Sequence, residues 1–157
     1  MRYLIRLLLA FALITLTAPF AVIAYNHPPM TSSPGLLARL NTYLTQNIAQ
    51  TEPMSAYPER QVHVYRRPAQ AVLAAAVAVA RANGWEIKTV DPKRHYLHAV
   101  AVTRVWRFKD DVEVWVKATA DGGSALYLRS ASRVGRADFG ANTARIVRLR
   151  RQIEQRL

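Results

Sequence analysis

Asp111 and Glu113 sit two residues apart in the stretch DDVEVWV, which alternates polar and apolar residues as a β-strand does, so both carboxylates share one face. Their backbone positions are then roughly 6.6 Å apart at ~3.3 Å rise per residue, a spacing that accommodates a general acid and a general base of the kind glycoside hydrolysis uses. Arg129 and Arg133 follow on the next strand-like segment. A guanidinium beside each carboxylate favours its ionised form, the opposite of what a general acid needs. A small hydrolase using Asp111 and Glu113, with His98 as a helper, is therefore the alternative reading and not the leading one. His95 and His98, three apart on a strand, point to opposite faces, and His63 and His27 lie elsewhere, so no metal site is expected. Ser130 and Ser132 fall on the apolar side of their strand without a nucleophile elbow around them. No phosphate-loop or dinucleotide glycine pattern occurs, and no cofactor is expected.

The second chemistry is anion recognition. Residues 129–146, RSASRVGRADFGANTARI, crowd arginines, glycines, Asp138 and Asn142 into the junction between a strand and a helix. Side-chain parity across the ADGG turn constrains the hairpin that precedes it. Val112, Val114 and Val116 must match Leu126 and Leu128, which requires an odd loop, and Asp121–Gly123 is the simplest. That register sets Asp111 opposite Arg133 and Trp115 opposite Arg129, with Glu113 diagonal to both arginines. Asp111, Glu113 and Asp138 then form a structural salt-bridge and capping network, Asp138 at the start of the last helix. Arg136, Arg145, Arg148 and Arg151 have no acidic partner close in sequence. The first three, with Arg129, Arg133 and Asn142 and with backbone N–H groups at the helix start, make up the candidate surface for an anion or a partner.

The elements that must position these groups read as an α+β fold. From Gln61 onward the order is β-α-β-β-β-β-α: QVHVYRR, a helix from Pro68 to an Asn83-Gly84 stop, WEIKTV, HYLHAVAVT, DDVEVWVKAT, SALYLRSASR and a final helix from Asp138. The expected architecture is a mostly antiparallel sheet of about five strands with helices packed on one face. Phe139, Ile146, Leu149, Ile153 and Leu157 are spaced as the inner face of the last helix. Trp85, Trp106 and Phe108 read as core or sheet-edge residues. Ahead of this domain (60–157) lies a Pro/Ser-rich tether with an amphipathic helix (25–59). In that helix Ser33 is the expected N-cap before Pro34, and Leu36, Leu37, Leu40, Tyr43, Leu44 and Ile48 are the expected packing face. The alternative use of this helix is to lie in a membrane surface.

Residues 1–24 carry Arg2 and Arg6 and then an uncharged run from Leu7 to Tyr25 that nearly spans a ~30 Å hydrocarbon core. An uncleaved signal anchor is one reading. A cleaved signal is the other, because Val22-Ile23-Ala24 offers small residues and Pro19 is expected to break the helix. Either places the domain outside the cytoplasm, anchored in a bacterial inner membrane and facing the periplasm, or released there. The 157 residues suffice for one modest core, and the absence of cysteine excludes disulfides and thiolate metal sites. The 22 Lys+Arg against 10 Asp+Glu give +12, and setting aside Arg2 and Arg6 leaves +10. Such an excess favours an anionic lipid or an envelope polymer, alongside a protein partner. Export argues against nucleic acid.

YLHAVAVTRVWRFKDDVEVWV followed by LYLRSASRVGRADFGANTARI resembles the domain of unknown function 1499 family over roughly residues 60–157. The matching positions are Phe108, Asp110, Asp111, Glu113, Arg129, Ser130, Ser132, Arg133, Gly135, Asp138, Gly140, Asn142 and Arg145. The resemblance implies an exported or membrane-attached protein and names no reaction. Many members carry a cysteine in a P-N-C-like stretch ahead of the domain, and this chain has none, so no role tied to that thiol is expected.

Overall fold

The computed structural model describes residues 1–103 and 107–157; Trp106 lies outside the described residues. Helix α1 (Arg2–Asn26) is followed by α2 (Leu36–Thr45), β1 (Ile48–Gln50), a 3-10 turn at Pro58–Arg60 and β2 (His63–Tyr65). Then come α3 (Ala69–Ala82), β3 (Glu86–Asp91), β4 (Tyr96–Val102), β5 (Lys109–Ala118), β6 (Ser124–Ser132) and α4 (Ala141–Glu154). All strand pairs are antiparallel, in the order β1-β6-β5-β4-β3, and β2 shares the same edge of β6 with β1. The expected α+β architecture is present, with β1 as a sixth strand.

Both α3 and α4 cover one face of the sheet. Val112, Val114 and Val116 of β5, Leu126 and Leu128 of β6, and Leu97 and Ala99 of β4 meet Val72, Ala76 and Val79 of α3 and Ile146, Leu149 and Ile153 of α4. The alanines of α3 let its backbone approach the sheet closely, and Asn83 and Gly84 (φ 68°) end it as expected. Trp85 packs at the margin of this core. Burial of so many branched side chains contributes on the order of 2 kcal/mol each, which is what holds the two layers together.

The β5–β6 hairpin keeps the expected parity but slips by two residues. Glu113 pairs with Arg129, Asp111 with Ala131 and Trp115 with Tyr127. Thr119 and Gly123 close the ladder, so the three-residue loop is Ala120–Gly122. The third position of such a loop takes the left-handed conformation. Two adjacent glycines offer themselves, and Gly122 (φ 80°) takes it. A Cβ on Gly123 would fall 2.6 Å from the Tyr65 carbonyl oxygen, so this second glycine lets β2 close on the hairpin.

Ahead of the sheet several expectations are corrected. Pro19 lies inside α1 and does not break it. Gly35, not Ser33, precedes the first turn of α2. The buried face of α2 is Arg39, Thr42 and Tyr43, whereas Leu37 is 82% exposed and Leu36 is also exposed. Phe139 precedes α4, which begins at Ala141 and not at Asp138.

Candidate functional site

Asp110 and Asp111 are consecutive on β5 and therefore point to opposite faces. Each finds its own arginine. Asp110 lies under α4, 1% exposed, and receives the Arg145 guanidinium at 2.5 Å. Arg145 also donates to Ser130 Oγ at 2.7 Å and to Asn142 Oδ1 at 2.5 Å. The Asn142 amide in turn donates to the Asn47 carbonyl at 2.8 Å and to Ser132 Oγ at 3.0 Å. Ser130 and Ser132, which sequence places on the apolar side, are there to complete this network. Arg145, with no acidic partner close in sequence, finds one 35 residues upstream on β5, beneath α4. Asp110 Oδ1 is buried with no hydrogen-bond partner among the described residues.

On the outer face, Arg133 forks onto Asp111 with bonds of 2.8 and 2.7 Å, and His98 Nε2 lies 2.7 Å from the same carboxylate. Arg129 donates to Glu113 at 2.6 Å, and the Tyr96 hydroxyl donates to its other oxygen at 2.9 Å. Tyr96 leans on Trp115 with ring centroids 5.3 Å apart. The Arg-on-Trp contact implied by the expected register is replaced by this aromatic pair and by Glu113–Arg129. The structure thus gathers His98, Asp111 and Glu113. The Arg133 guanidinium holds the Asp111 carboxyl down at about 2, and burial raises the Tyr96 hydroxyl to about 12, helped by its bond to Glu113. Asp111 is consequently a carboxylate throughout the physiological range, unable to act as a general acid.

Because the folded pKa of Asp111 is depressed from 3.8 to about 2, its contribution to stability is full above about 3.8 and disappears as pH falls through 2. The melting temperature of the native chain should therefore drop more steeply between pH 4 and 2 than that of Asp111→Asn, measured by circular dichroism. Asp138 works in the opposite sense, since burial raises its carboxyl, but it is present in both chains and cancels in the comparison.

The strand–helix corner is built by Asp138. Its two oxygens accept the backbone N–H groups of Gly140 at 2.8 Å and Asn142 at 2.9 Å, so donors read as open to an anion are answered within the chain. The corner is stitched to α2, with Asp138 N–H donating to the Gln46 carbonyl and Phe139 N–H to the Tyr43 carbonyl, both at 3.0 Å. It also receives the end of α1, where the Asn26 amide donates to the Phe139 carbonyl at 3.0 Å. Gly140 (φ 79°) lies so close to Pro28 that a Cβ would fall 2.5 Å from the proline ring. Of the six residues read as an anion surface, Arg129, Arg133 and Arg145 are ion-paired and Asn142 is buried. Arg136 and Arg148 are exposed and form no ion pair among the described residues.

Sequence reasoning missed Arg39. It is fully buried and forks onto Glu59 at 2.6 and 3.0 Å. It also donates to the carbonyls of Pro29, Ser32 and Ser33 at 3.0, 3.0 and 2.6 Å. Residues 27–35, expected to be a loose tether, are wrapped around this guanidinium as a strap. Among the described residues no group of three or more metal-ligating side chains comes together.

An antiparallel sheet backed by two helices, with a buried Asp–Arg–Ser–Asn network under one face and an apolar helix docked on its strand–helix corner, defines an α+β domain. Residues 26–153 match the family described as Protein of unknown function (DUF1499). The chain belongs to this family. Its span takes in α2, the strap and β1, well upstream of the part that carries the sequence resemblance. None of the curated proteins matches the chain.

Proposed function

We propose that the protein is a non-enzymatic domain held at a membrane by α1 and facing the cell envelope. It meets an anionic lipid surface, an envelope polymer or a protein partner through its basic strand–helix corner. In a bacterium this corresponds to an inner-membrane anchor and a periplasmic domain. The observation that carries the reading is α1 itself: 25 residues with a mean hydropathy of 2.4 over their most apolar window, exposed from Arg2 to Ala18 and docked at the last turns on that corner. Net charge supports an anionic counterpart, and Arg136 and Arg148 are exposed cations of the expected anion surface that can meet it.

The chain shortened to residues 25–157, once thermal unfolding shows it folded, should co-sediment with anionic vesicles at low salt and not with neutral ones. High salt should release it, because the attraction is screened. At ~1 kcal/mol per basic side chain near an anionic surface, Arg136→Glu with Arg148→Glu should weaken binding by about tenfold or more. No binding, or binding that ignores the double variant, would remove the electrostatic part of the reading.

A further inference from the structure

We infer that the end of the sheet where Arg107–Lys109 lead into β5 beside the β6–α4 corner inserts Phe108 and Val134 into the headgroup boundary of the bilayer that α1 enters, with Arg107, Lys109 and Arg136 at the level of the lipid phosphates. This rests on the membrane reading above and adds to it which surface touches lipid and at what depth.

Three observations converge. First, the two segments are at one end of the sheet and at the exit of α1. Val102 pairs with Lys109, and the Arg133 N–H donates to the Lys109 carbonyl at 3.2 Å, so the start of β5 and the corner are neighbours. The corner is also where Asn26 and Pro28 dock. Second, α1 has no length to spare. The uncharged run Leu7–Tyr25 covers roughly 28 Å at about 1.5 Å per residue, against a hydrocarbon core of about 30 Å. Yet Ile23 in its last turns is buried against the domain. For the run to span, the surface on which Ile23 packs must lie at the bilayer boundary. Third, that surface has the side chains a boundary requires. Phe108, just before β5, is 49% exposed and Val134, just after β6, is 63% exposed. The Phe108 backbone is tied to the end of β4, its N–H donating to Thr103 Oγ1 and its carbonyl accepting the Thr103 N–H, each at 2.9 Å. Exposed Arg107, Lys109 and Arg136 flank these apolar groups. Aromatic and aliphatic side chains ringed by cations are what the acyl–headgroup boundary of an anionic leaflet accommodates.

Absence of cysteine makes the test direct, since each substitution introduces the only thiol. The full chain carrying Phe108→Cys, Val134→Cys, Ala120→Cys or Leu13→Cys would be spin-labelled and reconstituted in phosphatidylethanolamine–phosphatidylglycerol vesicles. Collision rates would then be measured with oxygen, which partitions into the bilayer, and with a water-soluble nickel chelate. Ala120 is the aqueous reference: it sits at the hairpin tip, about 30 Å from Ser132 along β6 at ~3.3 Å per residue. The expected result is a reversal of preference, oxygen over nickel at 108 and 134 and nickel over oxygen at 120. If Leu13 reads as buried in lipid while 108 and 134 match 120, the insertion is wrong and the anchor stands. If Leu13 also reads as aqueous, the anchor itself fails. Replacing the vesicles with phosphatidylcholine alone should shift 108 and 134 toward the aqueous value, and an unchanged depth would take the cations out of the proposal.

Discussion

Arg145→Ala should cost about 3–5 kcal/mol of unfolding free energy, the range for a buried ion pair that loses one partner. Its counter-ion Asp110 is 1% exposed, so the variant leaves a carboxylate out of water with no cation beside it. Ser130 Oγ and Asn142 Oδ1 lose a charged donor at the same time. Urea unfolding followed by tryptophan fluorescence gives the number, and the double variant Asp110→Asn, Arg145→Met should recover a large part of it, because the uncompensated charge is then gone. A single variant as stable as the native chain would show that the guanidinium is not needed under α4, and would return Arg145 to the residues available for a ligand.

Arg39→Met should be comparably damaging, again about 3–5 kcal/mol, since it strands the Glu59 carboxylate in a buried site. The two substitutions differ in what is released. Arg39 also ties down three carbonyls of the strap, so its loss should open residues 27–35 to proteolysis at temperatures where the sheet is still folded. Limited digestion followed by mass spectrometry reads this out. Arg39→Met paired with Glu59→Leu should restore much of the stability and little of the protection, because a methionine offers no donor to Pro29, Ser32 and Ser33. Cleavage appearing only with global unfolding would mean that the strap is held by something other than this guanidinium.

Period-two alternation and strong turn signals made the strands β2 to β6, α3 and α4 legible, because these segments are long or well punctuated. The hairpin parity was legible for the same reason. Its register was not: Gly122 and Gly123 both permit the left-handed position, and the choice depends on how closely β2 approaches Gly123. β1, no shorter than β2, escaped notice because Ile48–Gln50 lies outside any alternating stretch such as QVHVY, and it forms by pairing with β6. In α2 Tyr43 of the expected face is buried, but Arg39 and Thr42 share the interior with it in place of Leu36 and Leu37. A single arginine satisfied by a carboxylate and three carbonyls outweighs exposed leucines, and nothing within the helix announces those partners. The candidate site was half legible. Asp111 and Glu113 could be matched to Arg133 and Arg129 across adjacent strands, whereas Asp110 and Arg145 meet only once α4 has folded back over the sheet.

The strap around Arg39 also sets how far the domain can reach. As a random coil, the 35 residues from 25 to 59 would let the domain wander on the order of 30 Å from the end of α1. Folded, they return it to the last turn of that helix, where Asn26 meets Phe139. The domain is therefore held at the foot of α1 and does not sweep a volume around it.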